Sequence, residues 1–200
     1  MMKRLLMAIT LAVSCATHAH PELEKRVAAL EQEVTALKAE LAPVQAEAKA
    51  KEIVAEQRAA AKQRMRKDAE IYSRDQLKEI ESLYQVANKQ WRTEEGKESL
   101  KQLIEKYDKA NRTGCALLYL GQMSKGKERE EYLKQAIDGF SDCFYGNGVQ
   151  VGAYARYYLA YHYKEAGEKE KSDQLFAELK DQYPNAINHK GKLLSDIIKN

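Results

Sequence analysis

The sequence predicts an all-α protein: an N-terminal coiled coil and long helix, then a short α-solenoid of stacked helix pairs. Three observations carry this. Charged residues make up 32% and hydrophobic residues 44% of the chain, with only 10 Gly and 3 Pro in 200 residues; that balance is poor in turn formers and suits helices. Leu23, Val27, Leu30, Val34, Leu37 and Leu41 are spaced alternately by four and three, a heptad seam. From Asp75 onward, apolar residues recur by three and four in segments short enough to be paired helices.

Residues 1–19 read as a secretory signal peptide. Lys3 and Arg4 precede an apolar run from Leu5 to Ala16, and the segment ends in Thr17-His18-Ala19. A positive start, a short apolar core and a small-x-small end define such a segment. The run is shorter than the ~20 residues of a membrane-spanning helix. Cleavage is expected after Ala19, with Ala16 second. Cys15 follows Ala12-Val13-Ser14, a weak lipoprotein box, so lipidation of Cys15 is an alternative to its being one more apolar residue of the signal. Removing Lys3 and Arg4 from 33 basic residues leaves 31 against 30 acidic, a net of +1. A nearly neutral chain has no general attraction to nucleic acid.

Residues 20–42 are the expected coiled coil. Val27, Val34 and Leu41 take the a positions; Leu23, Leu30 and Leu37 take d. In a parallel pair, Arg26 faces Glu31 of the partner helix and Glu33 faces Lys38, both attractive. β-Branched a with Leu d leans toward a dimer, and a trimer stays open. The competing expectation is a helix that lays its stripe on its own chain. Pro43 should kink or break the helix. Residues 43–74 are rich in Ala, Lys, Arg, Glu and Gln, with Lys51 and Arg58 where the seam would need apolar residues. They are expected to form a solvent-exposed helical spacer, with Arg58, Lys62, Arg64, Arg66 and Lys67 on a solvated face; the alternative is that this basic cluster meets an anionic surface such as lipid headgroups or a cell-wall polymer.

Residues 75–200 hold the helix pairs. Leu77, Ile80, Leu83, Tyr84 and Ala87 fit one helix; Leu100, Leu103, Ile104 and Tyr107 fit its partner. The lone Trp91, near the turn, is expected to pack rather than contact a ligand. Ala116, Leu117, Leu120 and Gly121, then Tyr132, Ala136, Ile137 and Phe140, form the second pair, with a long link over 124–131. Gly146-Asn147-Gly148 stops the second helix. Asn-Gly is a hairpin signal, but no alternating strands flank it. The third pair is Tyr154 to Pro184, with Gly167 at its turn. A final amphipathic helix with Ile187, Leu193, Leu194, Ile197 and Ile198 is expected to cap the exposed end.

Cys115 and Cys143 lie at neighbouring ends of the second pair, so a disulfide is geometrically open to them; it would contribute about 3 kcal/mol in the chain-entropy model. The alternative is two small buried thiols. His18, His20, His162 and His189 have no second ligand at metal spacing. No Ser/His/Asp or Cys/His arrangement and no Gly-rich phosphate loop is present. Neither catalytic nor metal-ligating residues are therefore predicted, no cofactor is implied, and the chain is not expected to be an enzyme. Tyr154, Tyr157 and Tyr161 recur by three and four on a face distinct from that of Leu159 and Tyr163. Such residues offer rigid apolar surface with a polar tip, suited to peptide recognition. The alternative is packing against the capping helix.

Leu159, Ala160, Tyr163, Gly167, Ser172, Phe176 and Pro184 match in spacing the pattern of the tetratricopeptide repeat, which the third pair resembles. Arg156 and Leu179 depart from it, standing where an aromatic and Ala are usual. The resemblance implies that the first helices line an inner groove. Tyr154, Tyr157, Tyr161 and Lys164 would then point into it, with Leu118, Gln122 and Lys125 as counterparts one repeat earlier. The layout as a whole resembles periplasmic, Tol-Pal-associated cell-division coordinators. That resemblance implies an exported, self-associating scaffold of a Gram-negative-type envelope that binds a protein or peptide partner. A lipid-anchored outer-membrane assembly protein, attached through Cys15, and an accessory factor of a cell-wall enzyme are the alternatives.

Overall fold

The computed structural model describes residues 21–198. The protein is all-α. Eight helices lie among the described residues: α1 (Pro21–Ile71), α2 (Arg74–Lys89), α3 (Glu94–Lys106), α4 (Asn111–Met123), α5 (Gly126–Phe140), α6 (Val151–Glu165), α7 (Lys169–Gln182) and the short α8 (Leu194–Ile197). The chain divides into two units, with the boundary between Lys49 and Ala50, inside α1.

Within residues 21–49, α1 is a bare helix. Leu23, Val27, Leu30, Val34, Leu37 and Leu41 are each 46–57% exposed, so the stripe does not lie on its own chain. The expected break at Pro43 does not occur; α1 runs through it unbroken. Pro43 removes one donor, to the carbonyl of Ala39, but that residue is exposed and water can take the place of the missing N–H. Pro43 also falls at heptad position c, away from the seam. The seam therefore continues to Val44 at the next d position, 63% exposed.

In the second unit, Ala50–Asn200, the helices form three pairs. α2 packs on α3, α4 on α5, and α6 on α7. Each second helix also packs on the next first helix, and the first helices α2, α4 and α6 touch in succession. Leu100, Leu103, Leu117, Leu118, Leu120 and Leu133 fill the interior with at most 1% exposure. Gly121 allows the close approach of α4 and α5: a Cβ there would lie 2.6 Å from Leu133 Cδ2. The long link expected over 124–131 is mostly helix, since α5 already starts at Gly126. Local caps set the first pair. Ser73 and Gln76 form a reciprocal capping box on α2, and Thr93 accepts from Gly96 N on α3.

The second half of α1 is not a solvated spacer. Ile53, Ala61 and Asp68 are buried. Asp68 accepts from the backbone N–H of Asn111 through both carboxylate oxygens, at 2.9 and 3.1 Å. Ala110, the residue before α4, has no side-chain cap of its own; a carboxylate from α1 supplies it. Arg64 pairs with Asp68 at 2.7 Å and with Asp142 at 3.0 Å, and donates to the Lys109 carbonyl. Asn111 in turn donates to the Phe144 carbonyl and accepts from Phe144 N, both at 2.8 Å. α1, α4 and the segment after α5 thus meet in one polar cluster. The packed positions of α1 stand among charged residues, which is why they form no apolar stripe in sequence.

Two tight hairpins follow the second helices. Tyr145 N donates to Val149 O, Gly148 N to Tyr145 O, and Val151 N to Cys143 O. Asn188 N donates to Lys192 O, Gly191 N to Asn188 O, and Leu194 N to Ala186 O. Every partner in the second set lies 43 residues after its counterpart (143 to 186, 151 to 194). The Asn147-Gly148 turn signal is thus a hairpin after all, closed by one bridge, Phe144 to Gln150. The expected capping helix is likewise mostly hairpin. The Asn188 side chain accepts from Lys190 N and Lys192 N, and Gly191 has φ 74°, so the chain turns before α8 begins. Both hairpins lean on α1. Gly148, at φ 94°, would place a Cβ 3.0 Å from the Gln57 and Arg58 backbone, and Gly191 would place one 3.2 Å from Val54.

Candidate functional site

A chain of aromatic rings crosses the first helices of all three pairs. Tyr84 meets Tyr119 with centroids 5.8 Å apart, Tyr119 meets Tyr145 at 5.9 Å, and Tyr145 meets His189 at 5.2 Å. His189 touches Tyr154 at 5.3 Å, Tyr154 stacks on Tyr157 at 5.8 Å, Tyr157 meets Tyr161 at 4.9 Å, and Tyr161 meets Phe176 at 5.2 Å. Offset and edge-to-face ring pairs of this kind add about 0.5–1.5 kcal/mol each. Trp91 joins from the α2–α3 turn, 4.8 Å from Tyr119.

Where this chain reaches the surface it walls a cavity of about 360 Å³. Trp91 and Arg92 come from the α2–α3 turn, Gln122 from α4, and Arg129 from α5. Tyr157, Tyr158, Tyr161, His162 and Glu165 come from α6. Helical spacing places Tyr157, Tyr158, Tyr161 and His162 on neighbouring turns of one helix.

Of the residues expected in a groove, the structure brings together Tyr157, Tyr161 and Gln122. Tyr154 is 8% exposed and supports the wall from behind; Leu118 is wholly buried, because the pair core takes it. Its neighbour Tyr119 is the residue that faces Trp91. Lys125 is exposed at the start of α5 and does not line the cavity. Lys164 lines a different hollow of about 560 Å³ with Phe176, Ala177 and Lys180, at the outer side of the α6–α7 pair. Sequence reasoning missed Trp91 as a wall residue, and it missed Arg92 and Arg129. Trp91 is 39% exposed. Its isolation as the one tryptophan, beside a turn, was the available signal.

Two features set the electrostatics. Arg92 adopts φ 65°, the left-handed region, and its guanidinium lies 5.5 Å from the centre of the Trp91 ring. Arg129 donates through Nε to the Ser124 carbonyl at 2.9 Å. Neither arginine forms an ion pair among the described residues. Burial raises the Tyr157 hydroxyl to about 12, with Tyr161 adding to the effect. Burial also raises Tyr158, against the opposing pull of the Arg129 charge. These phenols are neutral hydrogen-bonding groups at neutral pH.

The cysteines are not bonded to each other; both are free and buried. Cys115 donates to the Phe144 carbonyl at 3.4 Å, while Cys143 accepts from Arg64 Nη2 at 3.4 Å. Cys15 and the rest of the expected signal peptide lie outside the described residues. Among the described residues no cluster of three His, Cys, Asp or Glu could hold a metal ion, and no helix is long and apolar enough to cross a membrane. No family model, curated protein or solved structure matches the chain.

Proposed function

We propose that this protein is a non-enzymatic exported scaffold. It self-associates through residues 23–44 of α1 and binds a protein or peptide partner through tetratricopeptide-like repeats, in cell-envelope organisation or division. The observation that carries the reading is the bare seam. Of the nine large hydrophobic side chains exposed among the described residues, seven are Leu23, Val27, Leu30, Val34, Leu37, Leu41 and Val44. All seven alternate between a and d positions. A contiguous exposed apolar stripe of this length marks an interaction site, and its heptad period fits another helix of the same kind. The binding half of the reading rests on the aromatic cavity between α2–α3 and α6, whose walls offer rigid apolar surface with hydrogen-bonding tips.

The test is multi-angle light scattering on the protein from His20 onward, beside a Leu30→Ser/Leu37→Ser variant. Both leucines are about half exposed, so the substitutions leave the helix pairs intact. The expected result is a dimer, or a trimer, that becomes a monomer in the variant. A wild-type monomer removes the scaffold reading's main support.

A further inference from the structure

We propose that the cavity between the α2–α3 turn and α6 binds a carboxylate carried beside an aromatic or aliphatic group. Arg92 and Arg129 would hold the anion, and Trp91, Tyr157 and Tyr161 the apolar part. The inference rests on the peptide-groove reading above and names its ligand chemistry.

The cavity measures about 360 Å³, within the range of about 300–1,000 Å³ for sites that enclose a small ligand or a short piece of chain. Its walls are mostly aromatic, which selects an apolar group. Its half-buried, unpaired Arg129, beside Arg92, is what singles it out. The other half-buried arginines of the second unit are paired, whereas exposed ones such as Arg74 are not: Arg112 holds Glu81 at 2.8 Å, Arg156 holds Glu178 at 3.1 Å, and Arg64 holds Asp68. At the cavity, half-buried Arg129 and exposed Arg92 form no ion pair among the described residues. Arg129 is oriented by its Nε bond to Ser124 O, which leaves its Nη groups for an incoming oxygen. Glu165 also lines the site, so the cavity is not uniformly cationic; it suits a ligand that adds an amide N–H to its carboxylate. A guanidinium grips a carboxylate with charge-assisted, often paired, hydrogen bonds.

The backbone supplies an independent sign. Arg92 sits third in the four-residue turn 90–93, closed by Thr93 N donating to Gln90 O at 3.2 Å. A positive φ at that position favours Gly or Asn. Non-glycine residues held in this region cluster at binding sites.

The sole tryptophan, Trp91, is part of the wall and serves as the reporter. The full protein is titrated with three probes: acetyl-alanyl-phenylalanine with a free carboxylate, the same dipeptide as its amide, and acetyl-glutamyl-phenylalanine amide. The expected result is a saturable change in Trp91 emission. At least one carboxylate probe should bind about tenfold or more tighter than the alanyl amide, the worth of one charge-assisted contact. Whichever carboxylate probe is tighter tells a chain terminus from an acidic side chain. Arg92→Gln and Arg129→Gln should each erase that advantage without changing the amide's affinity. Arg92 is exposed, so its variant still folds if loss of the Ser124 bond unsettles the other. Equal affinities for acid and amide overturn the carboxylate assignment but keep the groove. No response to any probe overturns both.

Discussion

Replacing Asp68 by Ala should destabilise the protein by about 3 kcal/mol, although Asp68 lies in a segment whose composition is that of a solvated helix. Its side chain is 7% exposed and its ion partner Arg64 is 11% exposed. Removing one member of a buried pair costs about 3–5 kcal/mol because the other charge is stranded. Here Asp142, 3.0 Å from Arg64 Nε, remains as a second partner and lowers that cost. Loss of the carboxylate cap on Asn111 N adds about 1 kcal/mol. The two effects bring the total to about 3 kcal/mol. Asp68→Asn keeps an acceptor for Asn111 N and loses only the charge, so about 1.5–2 kcal/mol is expected. Arg66→Ala, two residues away and exposed, should change stability by less than about 0.5 kcal/mol. Urea unfolding followed by circular dichroism measures all three, with the midpoint falling and the slope unchanged. If Asp68→Ala costs no more than Arg66→Ala, the second half of α1 is not part of the packed unit and the reasoning fails.

Further outcomes follow from Gly148, Arg92 and the two buried cysteines. Gly148→Ala forces a side chain into φ 94° and puts its Cβ 3.0 Å from the α1 backbone; a loss of about 2–4 kcal/mol in thermal or urea unfolding is expected. Arg92→Gly relieves a left-handed residue at about 1–2 kcal/mol and loosens the unfolded chain by about 0.4–1 kcal/mol, so the protein should gain about 0.5–1 kcal/mol, while the carboxylate probes lose affinity; a destabilised variant contradicts the backbone assignment. Burial pushes the Cys115 thiol up to about 12, and Cys143 above its ordinary value. Both thiols are neutral in the folded state, so their contribution to stability is complete below the unfolded value of about 9. It declines as pH rises from there toward 12, and the urea midpoint should fall over that window. A thiol reagent at about pH 8 should label neither cysteine until the protein unfolds.

The parts of the fold set by local pattern were legible from sequence. Leu159, Ala160, Tyr163 and Gly167 mark α6 and its end, and Ser172, Phe176 and Leu179 mark the buried face of α7. The heptad seam was equally plain, since a and d spacing is a property of neighbouring turns. Hidden from sequence were the contacts between distant segments. Asp68 caps a helix 43 residues later, and nothing in the charged run around it distinguishes it from Asp75, which pairs only with Lys78 on the surface. The hairpins escaped because each closes on a single bridge and needs no alternating strand. The 43-residue period lies in backbone pairing, not in side chains: Tyr145-Gly146-Asn147-Gly148 and Asn188-His189-Lys190-Gly191 share only the final glycine. In the cavity, Tyr157, Tyr161 and Gln122 were expected from the tetratricopeptide resemblance, spacing alone giving the two tyrosines a shared helix face. Arg92 comes from the α2–α3 turn and Arg129 from the first turn of α5, and only the packing of the helix pairs brings them to one wall.

The central claim is that residues 23–44 join copies of this chain side by side. The most direct measurement is oxidative cross-linking of a Leu37→Cys variant of the protein from His20 onward. Position 37 is a d position, so a parallel, in-register pair sets the two new thiols against each other, within disulfide reach. The native Cys115 and Cys143 are buried and do not compete. The account predicts a covalent dimer on a non-reducing gel, formed at low protein concentration and absent when Leu30 is also replaced by Ser. A variant that stays monomeric under the same oxidation would contradict it.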